Sequence, residues 1–429
     1  EAAAASLRKA AKAHKSIRPE ALLELARVRT VQNKRKAAIE TLKQCLAFKS
    51  IAAEAARLAG DLSYETEQYD QAVTFYRRVL NQHQSSSHFG PALTGLLWAR
   101  YSADRHEQVA EAFNEYRDAL PDDRAGEAHY LAGSALWALD RKEEAIAPLK
   151  FAAGRLSGQR QARALRKLAS AHLDLNQYEA LRDVTGRLIE QFGESEPAIE
   201  ARFLRIEADR RRGRVSQAAA KLTELIERGS DTPYHTRALR QRAQLYAQAD
   251  RLEAAAKDYA RYIEASDADS RALRRAMLRL IDLRHRLGQP ERAVELANRL
   301  LAKSKLSPGL AQEALYRKGL ALIATQQIKP ALDTLGRLDK QHPLHPFEAS
   351  TTYYRGLLSS ALDRAEAAKP LLAKAGELKE LDRGKRINAL RLLAVHQREA
   401  DEAKAAVGTL QKLAGLAGAD GLTVKESLW

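Results

Sequence analysis

An all-α solenoid of about eleven helix–turn–helix pairs is the fold this sequence predicts, and three observations predict it. Apolar residues recur at helical spacing along almost all of the 429 residues, and the breaks are short clusters containing Gly, Pro, Asp or Ser. The composition suits helices: 45% of residues are hydrophobic and 29% charged, with only 12 prolines and 22 glycines. The breaks return at a nearly constant period. A coiled coil would need uninterrupted heptads, and a globular bundle would not repeat.

At the amino end, residues 1–18 align with a later helix by placing Leu7 over Leu42. They read either as the second helix of a preceding repeat or as an N-terminal cap helix. From 19 to 416 each repeat has a polar turn followed by an amphipathic helix opened by a small residue, as in "NKRKAAIETL", "EQYDQAVTFY", "DRKEEAIAPL" and "GQPERAVELA". The expected anchors are Ala38, Ala72, Val109, Ala145, Leu181, Ala218, Ala255, Ala293, Ala331, Ala367 and Ala403, spaced by 34 to 38 residues. That period fits two helices of about 12–15 residues and two short turns. A second small position precedes the anchor by twelve residues at Ala26, Gly60, Gly133, Ala169, Ala243 and Gly319, where paired helices would cross. Residues 417–429 lose the helical period and read as a mobile or docking tail.

In segments such as "YLAGSALWALDRKEEAIAPL" (Tyr130–Leu149) and "YRKGLALIATQQIKPAL" (Tyr316–Leu332) the chain resembles the tetratricopeptide repeat family, and the likeness covers nearly its whole length. Most periods exceed the family's ~34 residues, so the units are tetratricopeptide-like. The resemblance implies a right-handed superhelix whose first helices line a concave groove. The stretches "PDDRAGEA" and "GESEPAIEA", read as extended linking turns, are similar to those in arrays of bacterial cell-envelope assembly and division proteins. That likeness favours a bacterial periplasm or cell envelope over the cytoplasm.

No catalytic, metal or cofactor site is expected. A Gly-rich phosphate loop, GxSxG, HExxH and an Asp-rich calcium loop are all missing from the sequence. His342 and His345 lie in "KQHPLHPF", whose prolines favour extended backbone between repeats, and His83 and His88 flank another turn. Cys45, the single cysteine, is spaced with Leu42 and Leu46 as a buried small residue. No apolar run reaches the ~18 residues that a membrane-spanning helix needs.

The formal net charge of +16 is uneven: +8 over residues 1–50, −6 over 51–200, +8 over 201–300 and +6 over 301–429. Such alternation fits a surface with several partner zones better than a uniform polyanion track. In the family register Trp98, Tyr101, Tyr130 and Trp137 face the groove as aromatic anchors, or fill the seams between repeats. Arg163, Arg166, Arg210, Arg211, Arg237, Arg240, Arg275 and Arg286 follow as an arginine row suited to carboxylates or phosphates. The competing reading is a solvated basic face neutralised by Glu207, Asp174 and Asp282. Tyr316 and Tyr353 then return the groove to apolar character. Chaperone-binding members of the family hold a C-terminal carboxylate with a lysine-and-asparagine clamp. Arg166 and Arg240 take the place of its first cation, but Ser170 and Gln244 replace the asparagine.

The expected function is a non-enzymatic protein-interaction scaffold that binds a partner segment with acidic and apolar residues in its groove, within a larger multiprotein assembly. RNA or DNA binding is the alternative raised by a sequence pI near 9.8, although the aromatic cluster and the arginine row lie apart. A structural module self-associating end to end is the third reading.

Overall fold

The computed structural model describes residues 1–229, 232, 234–266, 269–303 and 306–417, and every regular element among them is helical. Beyond Ala417, the tail expected at 417–429 lies outside the described residues. Contacts divide the chain into two units, residues 1–218 and 219–429. The first unit holds α1 (Ala2–Ala13), α2 (Arg18–Val31), α3 (Arg35–Cys45), α4 (Ala52–Glu65), α5 (Tyr69–Gln82) and α6 (Phe89–Ser102). It continues with α7 (His106–Tyr116), α8 (Asp122–Ala138), α9 (Lys142–Arg155), α10 (Gly158–Asp174), α11 (Tyr178–Phe192) and α12 (Glu196–Arg211). The boundary falls inside α13 (Val215–Glu227). The second unit contains α14 (His235–Gln248), α15 (Leu252–Glu264), α16 (Arg271–Arg286), α17 (Pro290–Leu301) and α18 (Pro308–Ala324). It ends with α19 (Ile328–Gln341), α20 (Glu348–Ala361), α21 (Ala365–Glu377), α22 (Arg383–Glu399) and α23 (Ala403–Ala417).

One residue with left-handed backbone marks the turn inside each helix pair. These are Asn33, Glu67, Asp104, Asp140, Asn176, Gly213, Asp250, Gly288, Gln326, Asp363 and Asp401, with φ between +54° and +70°. Asn, Asp and Gly tolerate this region best and fill nine of these eleven positions, Glu67 and Gln326 being the exceptions. The buried anchor follows five residues later in every pair, and this common offset corrects two positions. Ala367 and Ala403 are exposed; Ala368 and Ala406 are the buried residues. An alanine-rich stretch lets the register slip by one or three residues without changing the apparent pattern.

The second small position works as a socket. A Cβ built on Gly60 would lie 2.6 Å from the Tyr76 ring, and one on Gly133 would lie 2.7 Å from Leu149. Each large residue sits four positions after its anchor, so the glycine admits one side chain from the facing helix. With the corrected anchors, Gly356 against Leu372 joins the same series. "PDDRAGEA" and "GESEPAIEA" also differ from expectation. From Asp122 and Glu196 onward they are the opening turns of α8 and α12, not extended linkers. Asp122, Asp123 and Glu196 lie in the first helical turn, where the dipole favours negative charge.

Candidate functional site

In α16, Leu273, Ala276, Met277, Leu280 and Ile281 are buried. The exposed Arg271, Arg275 and Arg279 recur every fourth residue and so share an arc of about 80° on the other side of the helix. The helix starts firmly: Ser270 Oγ accepts the Leu273 N–H at 3.0 Å. In α14, Arg240, Gln244 and Gln248 repeat the same spacing, while Ala238, Leu239, Ala243 and Leu245 are buried. These faces and the first turns of α18 line an open cavity of about 1140 Å³ in the second unit.

The electrostatics of this cavity are one-sided. Arg240, Arg271, Arg275, Arg279 and Arg286 line it, against two acids, Asp282 and Glu313. Both acids are engaged by Arg317, which donates to Asp282 and lies 2.9 Å from Glu313 Oε1. Arg286 pairs with Asp250 at 2.7 Å. Among the described residues no acid pairs with Arg240, Arg271, Arg275 or Arg279. Below them the buried Tyr259 hydroxyl has its pKa raised by burial, and the charges of Arg279 and Arg240 pull it the other way.

The first unit carries a different surface on α6, α8 and α10. Trp98, Tyr101, Tyr130 and Trp137 are all half-buried, packed against the core with an edge exposed. Trp98 Nε1 donates to Glu127 at 2.8 Å, and Trp98 meets Tyr101 edge-on at 6.3 Å. Lys167 Nζ lies 4.8 Å from the Trp137 ring centroid and 3.5 Å from the Tyr101 hydroxyl. Burial, then the neighbouring Arg166 charge, holds the Lys167 pKa below the usual lysine range. The rings pack against the core clusters and keep part of their surface exposed. Arg163 and Arg166 are exposed nearby, and Ser170 Oγ is turned back onto the Arg166 carbonyl at 3.1 Å.

Several residues expected in the arginine row are held elsewhere. Arg210 grips Glu207 through two 2.7 Å bonds. Arg211 shares Glu207 at 3.0 Å and donates to the Leu173 carbonyl at 2.9 Å. These two are therefore neutralised locally, as the solvated-face reading had it. Arg237 is half-buried and also engaged. Tyr316 is half-buried and stacks on Phe347 at 4.3 Å. Tyr353 is not a groove residue: it is 7% exposed in the core beside Leu372, and its hydroxyl accepts from Asn388 Nδ2 at 2.9 Å. Register is not the reason, since Tyr353 stands fifteen residues before the buried Ala368 just as Tyr316 stands fifteen before Ala331; packing in the cluster with Leu381 and Leu393, and the bond from Asn388 of α22, cover it. Arg271, Arg279, Gln248 and Lys167 were missed. The signal for the first two was present in "RALRRAMLRL", where arginines recur at four-residue steps opposite the apolar stripe.

Ser360 Oγ and His396 Nε2 lie 2.7 Å apart, with Glu399 3.6 Å from Nδ1. This contact ties α20 to α22 and sits within helical packing, where it serves as a hydrogen bond between successive repeats.

A family model described as tetratricopeptide repeat matches residues 203–270, and another of the same description matches 313–345. Among curated proteins no match was found. Among solved structures the chain is similar to YrrB, a tetratricopeptide repeat protein with an unusual peptide-binding site, at 19% identity. That match covers 48% of this chain and 96% of the other, with a TM-score of 0.39. MamA from Desulfovibrio magneticus RS-1 is similar at 23% identity, covering 42% and 94% of the two chains, with a TM-score of 0.35. The Naa15/Naa10 complex bound to HypK-THB aligns at 15% identity over 94% of this chain and 65% of the other, with a TM-score of 0.40. With one left-handed turn and one buried anchor in each helix pair, and family models matching two segments, the chain is a tetratricopeptide-like helical-repeat protein.

Proposed function

We propose that the protein is an interaction scaffold whose second-unit cavity binds an acidic segment of a protein partner. Tetratricopeptide repeats support the broader role of protein–protein interaction scaffold, and the family is typically non-catalytic. The observation that supports the finer reading is the convergence of Arg240, Arg271, Arg275 and Arg279 on one cavity, with its two acids already engaged by Arg317. Like charges held together destabilise the free protein, and a ligand of opposite charge relieves that repulsion. Guanidinium groups also pair bidentately with carboxylates.

Nucleic acid fits less well. Arginines suit phosphates too, but binding of single strands draws on exposed rings for base stacking. Tyr259 is the aromatic residue lining this cavity, and it is 3% exposed.

Charge reversal at Arg275 and Arg279 tests the reading. Hydrogen bonds to charged groups contribute about 1.5–3 kcal/mol when partly shielded and about 0.2–1 kcal/mol when fully exposed. The double change should therefore weaken binding of a fluorescein-labelled, glutamate-rich ten-residue peptide by roughly 2 kcal/mol, or about thirty-fold. Affinity should also fall with added salt. Unchanged affinity in fluorescence anisotropy, with helicity intact, refutes the assignment.

A further inference from the structure

We infer that the segment received by this cavity is extended, with carboxylates at every second residue, and lies along α16. This rests on the acidic-segment reading and specifies its conformation and register. Arg271, Arg275 and Arg279 are four residues apart on one arc of α16, so successive rungs rise by about 6 Å. In an extended chain, side chains on one face recur about every 6.7 Å. Across three rungs the two ladders drift by roughly 1.5 Å, which long arginine side chains absorb. Acids four residues apart on a helix would also match the ladder, so spacing alone does not choose the conformation.

The α14 wall chooses it. Gln244 and Gln248 line the same cavity, are exposed, and form no hydrogen bond with a described residue. They too are one helical step apart. An extended segment presents the N–H and C=O of alternate residues toward the same side, at the spacing of its alternate side chains. A primary amide can donate to that carbonyl and accept from that N–H. The interior of a helical ligand has already spent those groups on its own hydrogen bonds, leaving two facing glutamines nothing on the main chain to pair with. The floor of the site, α16, thus reads acidic side chains, while the α14 wall reads extended backbone. Such a partner is recognised by pattern as well as by charge.

The test uses the full chain and three labelled peptides of equal length and charge, followed by anisotropy at low salt. One alternates glutamate with serine, one places its glutamates in a block, and one carries them every fourth residue in an alanine-rich helical peptide. The alternating peptide is expected to bind at least ten-fold more tightly than the other two. Gln244→Ala with Gln248→Ala, both at exposed positions, should reduce that preference to three-fold or less, whereas Arg275→Gln should weaken all three peptides. Equal affinity for all three peptides overturns the register while leaving the acidic-segment reading intact. A preference untouched by the glutamine changes overturns the backbone-reading role. Binding of none of the peptides overturns the acidic-segment reading itself. Tighter retention of an oligothymidylate than of any peptide overturns both in favour of nucleic acid.

Discussion

Removing Asp258 isolates a single buried charge in the second unit. Arg242 binds Asp258 through two bonds, Nε to Oδ2 at 2.7 Å and one terminal amine to Oδ1 at 2.8 Å. The other amine donates to Thr223 Oγ1 at 2.7 Å, so one guanidinium ties α13, α14 and α15 together. Side-chain exposure is 12% for Arg242 and 2% for Asp258. Breaking one partner of such a pair leaves an uncompensated charge, which costs about 3–5 kcal/mol. Because Arg242 keeps its bond to Thr223 and lies 5.8 Å from the Tyr246 ring, the lower end applies. Asp258→Ala should thus destabilise by about 3 kcal/mol, equivalent to a fall of roughly 6–12 °C in the melting of a unit this size. Urea titration followed by circular dichroism, with hydrogen exchange across α13 to α15, measures the effect. Joint replacement, Arg242→Met with Asp258→Leu, should recover most of the loss, because no charge is then left without its partner. A loss below about 1 kcal/mol for Asp258→Ala, or a double variant no better than the single, refutes the desolvation argument.

Cys45 is fully buried, its Sγ directed at the Thr41 carbonyl at 3.4 Å, and burial pushes the thiol pKa up to about 11. It should resist a thiol-specific reagent at pH 8 in the native protein and react at the rate of a free thiol in denaturant. Fast native-state labelling would mean that α3 opens independently of its neighbours. The Glu207 carboxyl is held below its usual pKa chiefly by its hydrogen bond with Arg210. A depressed folded-state pKa adds stability above the ordinary carboxylate pKa, and that stability is lost as pH falls through the folded value. Glu207→Gln should therefore flatten the acid limb of thermal stability between about pH 5 and 3. An acid limb identical to wild type contradicts this. Arg317→Gln should weaken the acidic peptides by several-fold although Arg317 is outside the cavity lining, because it releases Asp282 and Glu313 into the site. Unaltered affinity would show that those acids do not influence it.

The fold was legible because its defining features are local. A polar residue able to take positive φ, an anchor five positions later and a small residue facing a large one recur along the chain, and each can be read without tertiary information. Register failed where alanine is most abundant. In "AEAAKP" and "EAKAAV" several small residues can serve as anchor, so the exposed Ala367 and Ala403 stood in for the buried Ala368 and Ala406. Tyr353 was misplaced on other grounds: its repeat position matches that of Tyr316, and only the packing of α22 over it, through Asn388, makes it a core residue. The arginine row was half legible for a different reason. Spacing shows which face an arginine occupies, but not which acid from another helix reaches it. Arg286 is a case: it is paired by Asp250, thirty-six positions earlier, from the turn of the preceding repeat.

Comparison of α12 with α16 shows why neutralisation, and not arginine content, defines the candidate site. In α12, Glu207 stands three and four residues before Arg210 and Arg211, the spacing at which helical side chains meet, and it holds both. In α16, Asp282 stands three residues after Arg279 and four before Arg286, so its own helix offers it equivalent partners. It pairs instead with Arg317 from α18. Arg317 is thus a cation supplied by one repeat that withdraws an anion from the adjoining one, leaving the arginine arc of α16 uncompensated. The pairing also joins α16 to α18, two helices lining the cavity, so the interaction that keeps these repeats in register is the one that maintains the cavity's charge. Stacking and recognition are coupled through one guanidinium.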